Sequence, residues 1–176
     1  MISPPQNGGD FSSRKGDCMK KGEIYEGRVQ EVLFPDKAIV VTDEGETAQV
    51  KYGIPGQKIR FRVKKKRKEK IEGILLEVLE KSADEAACLC EWAGKCGGCL
   101  YQTLPYEKQL AIKEAQIKKM LDNGGTDYAF EGIVSSPVVS GYRNKVELTF
   151  GDSYMGGPLA LGMHQRGSFY DIAGIE

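Results

Sequence analysis

The chain has 176 residues, 40% hydrophobic and 28% charged, with 25 basic and 25 acidic side chains that cancel at neutral pH. This composition fits one ordinary globular domain or two small ones in series, and the balanced charge excludes reading a polyanionic partner from bulk electrostatics. No apolar stretch approaches the roughly 18 residues of a membrane span, and the opening MISPPQNGGDFSSRKGDC lacks the apolar centre of a secretory signal.

The expected setting is therefore cytoplasmic, with no membrane. Five cysteines in such a chain point to metal or redox chemistry rather than disulfides.

Residues 1–19 are rich in Gly, Ser, Pro and Asp and show no periodicity, which predicts a disordered leader. Met19-Lys20-Lys21-Gly22 reads as a second start, and Cys18 as a free thiol in the leader.

Residues 20–80 read as all-β. Ile24, Val29, Val32 and Phe34 mark a first extended run, and Ala38 to Val41 a second strand. Asp43-Glu44-Gly45-Glu46 supplies a tight turn, and Thr47 to Val50 a third strand. Pro55-Gly56 punctuates the next connection. Ile59, Phe61 and Val63 then alternate with Arg60, Arg62 and Lys64 in a clean period of two. Ile71, Ile74, Leu76 and Val78 belong to a fifth strand. Five short strands in so few residues predict a small closed barrel of the OB type.

Between the fourth and fifth strands, Lys58, Arg60, Arg62, Lys64, Lys65, Lys66, Arg67, Lys68 and Lys70 are broken among charged positions only by Glu69. Such a run is more often a solvated hairpin than a site. Its functional reading is a prong that displaces counterions from a nucleic-acid backbone, with Lys64, Lys65, Lys66, Arg67 and Lys68 as the contacts.

Residues 81–104 hold four of the five cysteines and the single Trp. Residues 105–125 predict a helix, with Pro105 at its first position and Thr103 as a nearby cap. Tyr106, Leu110, Ile117, Leu121 and Met120 form its apolar stripe. Glu107 near the start and Lys118 and Lys119 near the end match the helix dipole, and Gly124-Gly125 ends it.

Residues 126–176 return to strands. Val146, Leu148 and Phe150 alternate with polar neighbours. Gly156-Gly157-Pro158 turns the chain, and Leu159, Leu161 and Met163 form the second arm of a hairpin. So small a sheet is rarely stable alone, so the domain is expected to continue past Glu176. The fold class expected overall is mainly β with α (α+β).

The chemistry lies in Cys88-Leu-Cys90-Glu-Trp-Ala-Gly-Lys-Cys96-Gly-Gly-Cys99. The two glycines let backbone amides approach the sulfurs. Three readings compete: a 4Fe-4S cluster held by thiolates, a structural zinc tetrahedron of Cys88, Cys90, Cys96 and Cys99, and a reactive dithiol at Cys96 and Cys99. The dithiol ranks last, because the pair lies between a barrel and a helix rather than on an α/β scaffold. Spacing alone leaves zinc and cluster nearly even. Cys88 and Cys90 stand closer than an ordinary zinc knuckle allows, which tilts the balance to the cluster.

Three stretches, in order, resemble RNA (uracil-C5)-methyltransferases. The first, Ile54-Pro55-Gly56-Gln57-Lys58-Ile59 with the basic hairpin and Leu75-Leu76-Glu77-Val78-Leu79-Glu80, is similar to a TRAM domain, the family's OB-like RNA-binding module. The second runs from Cys90 through Cys96-Gly-Gly-Cys99 to Tyr106-Glu-Lys-Gln-Leu110 and resembles the family's cluster segment. The third comprises Gly141-Tyr142-Arg143-Asn144-Lys145-Val146-Glu147 and Leu161-Gly162-Met163-His164-Gln165-Arg166-Gly167, and is similar to the start of the central domain.

The resemblance implies a 4Fe-4S cluster on Cys90, Cys96 and Cys99. Its fourth ligand would lie beyond Glu176, with Cys88 as a stand-in. It also implies an enzyme cysteine adding to uracil C6, methyl transfer from S-adenosylmethionine to C5, and a carboxylate base removing the C5 proton. Those groups belong to a C-terminal domain not seen in this sequence, so no catalytic residue is assigned and this chain alone is expected to be inactive.

The implied partner is RNA, with large-subunit (23S) ribosomal RNA favoured over transfer RNA, bound by a monomer. Tyr142, Arg143 and Lys145 form an aromatic and basic patch that could touch RNA or simply begin a strand. His164 and Arg166 read as structural at least as readily as functional. The rival from another class is a stand-alone zinc- or cluster-stabilised nucleic-acid-binding protein.

Overall fold

A computed structural model describes residues 19–67, 70–88, 90–125 and 127–175. The leader at 1–18 with Cys18, and also Lys68 and Glu176, fall outside the described residues. The structure is mainly β with one long helix.

Five strands, β1 (Ile24–Leu33), β2 (Lys37–Thr42), β3 (Thr47–Lys51), β4 (Lys58–Arg67) and β5 (Lys70–Glu80), close into a barrel in the order β1-β2-β3-β5-β4. All neighbouring pairs are antiparallel except β3 with β5. Closure removes the free edges that an open sheet of this size would expose.

The core follows from the alternation. Val29, Ala38, Val40, Ala48, Val50, Ile59, Phe61 and Val63 all point inward and are buried. Met19 joins them, fully buried. Its backbone N–H reaches both carboxylate oxygens of Glu46, at 3.2 and 3.0 Å. The barrel thus begins one residue earlier than the leader boundary drawn from composition.

The structure gives the register of β5, which the sequence pattern leaves ambiguous. Ile71 is buried and Leu75 half-buried against the core, whereas Ile74, Leu76 and Val78 are exposed, Ile74 opposite Arg62 and Val78 opposite Ile59 beyond a shift of register. The inward position between Ile71 and Leu75 is Gly73, and a β-carbon there would lie 2.7 Å from Phe61 Cδ2. The Phe61 ring occupies the space that a side chain at 73 would need. Apolar residues on both faces of the strand hid this register from the sequence pattern.

Helix α1 (Tyr106–Asn123) begins after Pro105, with no side-chain cap. Thr103, expected nearby as a cap, instead has a buried hydroxyl without a hydrogen-bond partner among the described residues. The helix lays Ile112 and Gln116 on the barrel, while Ile117, Met120 and Leu121 stay exposed. Gln116 Nε2 donates to the Val32 carbonyl at 3.0 Å and to the Tyr101 hydroxyl at 3.3 Å. Lys118 and Lys119 lie before the last turn and pair with Glu114 and Glu31.

Beyond the helix, β6 (Thr149–Asp152), β7 (Leu159–His164) and β8 (Ile172–Gly174) form a three-stranded antiparallel sheet. The strand expected around Val146 and Leu148 does not form. Neither residue has a partner strand, and regular structure starts only at Thr149.

Candidate cluster site and nucleic-acid interface

The cysteine segment leaves the barrel after β5 and crosses to the second sheet. A bridge pairs Cys96 with Gln165. Gly97 N–H donates to the His164 carbonyl at 3.0 Å, and Arg166 N–H to the Lys95 carbonyl at 2.7 Å. The Arg166 guanidinium completes the seam, donating from Nε to the Cys96 carbonyl at 3.0 Å and from Nη2 to the Cys99 carbonyl.

Both glycines of the turn lie close against the second sheet. A β-carbon at Gly97 would lie 3.1 Å from the His164 carbonyl oxygen, and one at Gly98 would lie 3.1 Å from Met163 Cε. Gly98 N–H in turn donates to Cys96 Sγ at 3.3 Å.

Although Cys99 has solvent access, the protein around it pushes its thiol above the usual range. The nearby Cys96 and Cys90 add to the rise, while Arg143 and Arg166 oppose it. Cys96 and Cys90 thus lie close enough to Cys99 to act on its thiol. All four are free cysteines.

Among the described residues, no three Cys, His, Asp or Glu side chains gather tightly enough to hold a single metal ion. Neither Cys88, Cys90, Cys96 and Cys99 together nor Cys90, Cys96 and Cys99 alone are drawn into such a group. Neighbouring thiols, a backbone N–H on sulfur and a turn bare of side chains are the donor chemistry that thiolate ligation of a cluster uses. Cys90, Cys96 and Cys99 would be the residues to hold one.

The sequence-predicted RNA contacts are scattered. Lys64 and Arg67 lie exposed on β4, Lys65 sits opposite Glu72 on β5, and Lys66 Nζ donates to the Met19 carbonyl at 3.1 Å. Arg60, within the same run, is committed to Glu26 and Glu77 at 2.8 and 2.7 Å. Tyr142 is exposed in an irregular segment, and Lys145 pairs with Glu147 at 2.8 Å. Arg143 stands apart from both, close enough to Cys99 to favour its thiolate.

Arg166 is the residue whose role the sequence least revealed. Its partners are main-chain carbonyls 70 and 67 positions upstream, which no local pattern could signal. His164 stacks on Phe169, with ring centres 5.8 Å apart, in keeping with a structural part.

A protein named uncharacterized RNA methyltransferase from Caldanaerobacter subterraneus subsp. tengcongensis is 44% identical over 155 residues, covering 88% of this chain and 34% of the relative. A protein of the same name from Clostridium tetani is 43% identical over 160 residues, covering 90% and 35%. The chain belongs to this RNA methyltransferase family. It spans about a third of the length of the relatives it matches.

The fold of this family member is similar to the crystal structure of Pyrococcus abyssi tRNA (uracil-54, C5)-methyltransferase in complex with S-adenosyl-L-homocysteine. The TM-score is 0.52 at 22% identity, over 86% of this chain and 31% of that one. No protein-family model matches. Among the described residues no helix is long and apolar enough to cross a membrane.

Proposed function

We propose that this chain is the RNA-recognition and cluster-binding portion of an S-adenosylmethionine-dependent RNA (uracil-C5)-methyltransferase acting on ribosomal RNA. The observation that carries the reading is the seam between the cysteine turn and His164-Gln165-Arg166. It sets Cys96 and Cys99, with Cys90 nearby, between a barrel and a second sheet. The barrel is taken as the TRAM, OB-like module, and its β4–β5 hairpin as a source of phosphate contacts.

A cluster bound at the three thiols would supply a structural cross-link, with a fourth ligand from Cys88 or from sequence beyond Glu176. S-adenosylmethionine would supply the methyl group in the whole enzyme, and no residue of this chain is assigned to bind it. The family relationship supports this reading over a stand-alone nucleic-acid-binding protein, since this chain covers only 34% and 35% of those relatives.

The test is anaerobic purification followed by visible absorption and analysis of iron, acid-labile sulfide and zinc. Iron and sulfide in cluster proportion are expected, and their loss in Cys96→Ser. Stoichiometric zinc without iron would overturn the cluster. A Cys88→Ser chain that keeps its cluster would place the fourth ligand elsewhere. Competition between ribosomal and transfer RNA fragments at several salt concentrations tests the substrate class.

A further inference from the structure

Met19 is held more completely than a residue in mid-chain needs to be. It is fully buried and belongs to the core cluster, although β1 starts only at Ile24. Side chains from elsewhere in the barrel take up the main-chain polar groups around it. Met19 N lies 3.2 and 3.0 Å from the two carboxylate oxygens of Glu46. The Met19 carbonyl accepts from Lys66 Nζ at 3.1 Å, and Lys20 N–H donates to the Tyr25 hydroxyl at 3.0 Å.

Glu46 is set in place before Met19 arrives. It closes the turn between β2 and β3, where its own N–H donates to Thr42 Oγ1 at 3.2 Å and its carbonyl accepts from Thr42 N–H at 2.9 Å. Thr42 is buried, so the turn presents the carboxylate from a fixed anchor.

A main-chain amide has one hydrogen, and two carboxylate oxygens at nearly equal distance must share it. An ammonium has three hydrogens and a positive charge, and satisfies both oxygens with charge-assisted bonds. The residue at this position is a methionine, followed by Lys20-Lys21-Gly22. Its side chain fills the core, so it has to be retained. Lys20 beside it is too large for the peptidases that trim an initiator methionine next to small residues.

We propose that translation of the working protein starts at Met19, and that the resulting α-ammonium is held by both oxygens of Glu46. The first residue of the barrel is then a core side chain and an ionic partner of the β2–β3 turn at once. A chain that runs through Met19 from upstream sets a neutral amide against the same carboxylate. Neither the RNA reading nor the cluster reading is needed for this inference.

The first test is intact-mass and N-terminal peptide mapping of the protein isolated from its own host. The expected first residue is Met19 with a free amine. Peptides from residues 1–18 in molar parity with the rest of the chain, or a Met19 amine blocked by a formyl or acetyl group, would overturn the proposal. In the gene, Met1→Leu should leave the amount of protein unchanged and Met19→Leu should abolish it. The opposite pattern would refute the start, because leucine fills nearly the same volume in a chain begun upstream.

The ion pair is read on the isolated protein. An amine-reactive reagent at neutral pH should label the N-terminal peptide of Glu46→Gln several-fold faster than that of the parent, since an opposite charge favours the protonated amine. Lys66, on the Met19 carbonyl, works against that effect, and Tyr25, its phenol raised chiefly by Glu23, stays neutral at this pH. Thermal midpoints of both chains establish that folded states are compared. Equal labelling rates would overturn the pairing with Glu46.

Discussion

The guanidinium carbon of Arg166 stands 5.0 Å from the centre of the Tyr52 ring, so one side chain touches the barrel while bonding two carbonyls of the cysteine turn. Tyr52 is the only non-glycine residue with positive φ among the described residues, at 68°. Burial lowers the Arg166 pKa from its ordinary value, opposed by Tyr52, Cys96 and Cys99, yet an arginine stays charged at any working pH.

Arg166→Ala should lower stability by about 2 kcal/mol, the loss expected for hydrogen bonds from a charged donor. It should also speed modification of Cys96 and Cys99 by a thiol reagent. Lysine should rescue poorly, because two carbonyls at fixed separation suit a planar fork better than an ammonium. Urea unfolding and modification kinetics read both effects. An Arg166→Ala chain whose cysteines react at the parent rate would show that the turn holds without its clamp.

Gly73→Ala tests the packing inside the barrel. The new methyl would meet Phe61 Cδ2 at 2.7 Å and Val50 Cγ2 at 3.1 Å. Overpacking of this kind should cost about 1–3 kcal/mol. Thermal denaturation measures it, and an unchanged midpoint would mean that Phe61 has an alternative rotamer the barrel accepts.

Gln116 tests how the helix is fastened. Gln116→Leu keeps most of the volume but leaves the Val32 carbonyl without its side-chain donor, for an expected loss of about 1–3 kcal/mol. A double-mutant cycle with Tyr101→Phe isolates the shared bond. A coupling energy near zero would assign the helix contact to Ile112 instead.

These positions also show what could be read in advance. Ile59, Phe61 and Val63 declared their burial through a period of two, because a barrel strand has one dry face. The fifth strand was legible only as a strand, since Ile74, Leu76 and Val78 are apolar but exposed and its register against β4 is interrupted. The helix was visible as a helix, but its buried side is marked by polar Gln116 and not by Ile117, Met120 or Leu121. Resemblance, and not spacing, singles out Cys90, Cys96 and Cys99, and their role as ligands is the proposal made above. The clamp that fixes their turn could not be read in advance, because hydrogen bonds to distant main-chain carbonyls leave no periodic trace.

Tyr101 gives a prediction at high pH. Burial pushes its phenol above the ordinary value of 10.0, Gln116 opposes the shift, and Asp36 adds to it. A group raised in the folded state contributes stability that is whole below the unfolded pKa and is lost as pH rises through the folded one. The parent chain should therefore lose stability relative to Tyr101→Phe as pH climbs past 10.0. Parallel stability curves across that range would contradict the burial argument.

The seam has a further consequence for how the protein is made. Cys96 and the Arg166 side chain that clamps it are 70 residues apart. At a synthesis rate of about 5–20 residues per second, roughly 4–14 seconds separate their emergence from the ribosome. During that interval the barrel strands are already complete, but the cysteine turn has no Gln165 to pair with and no guanidinium to close it. The cysteine turn therefore stays unclamped until Gln165 and Arg166, between the second and third strands of the sheet, have emerged.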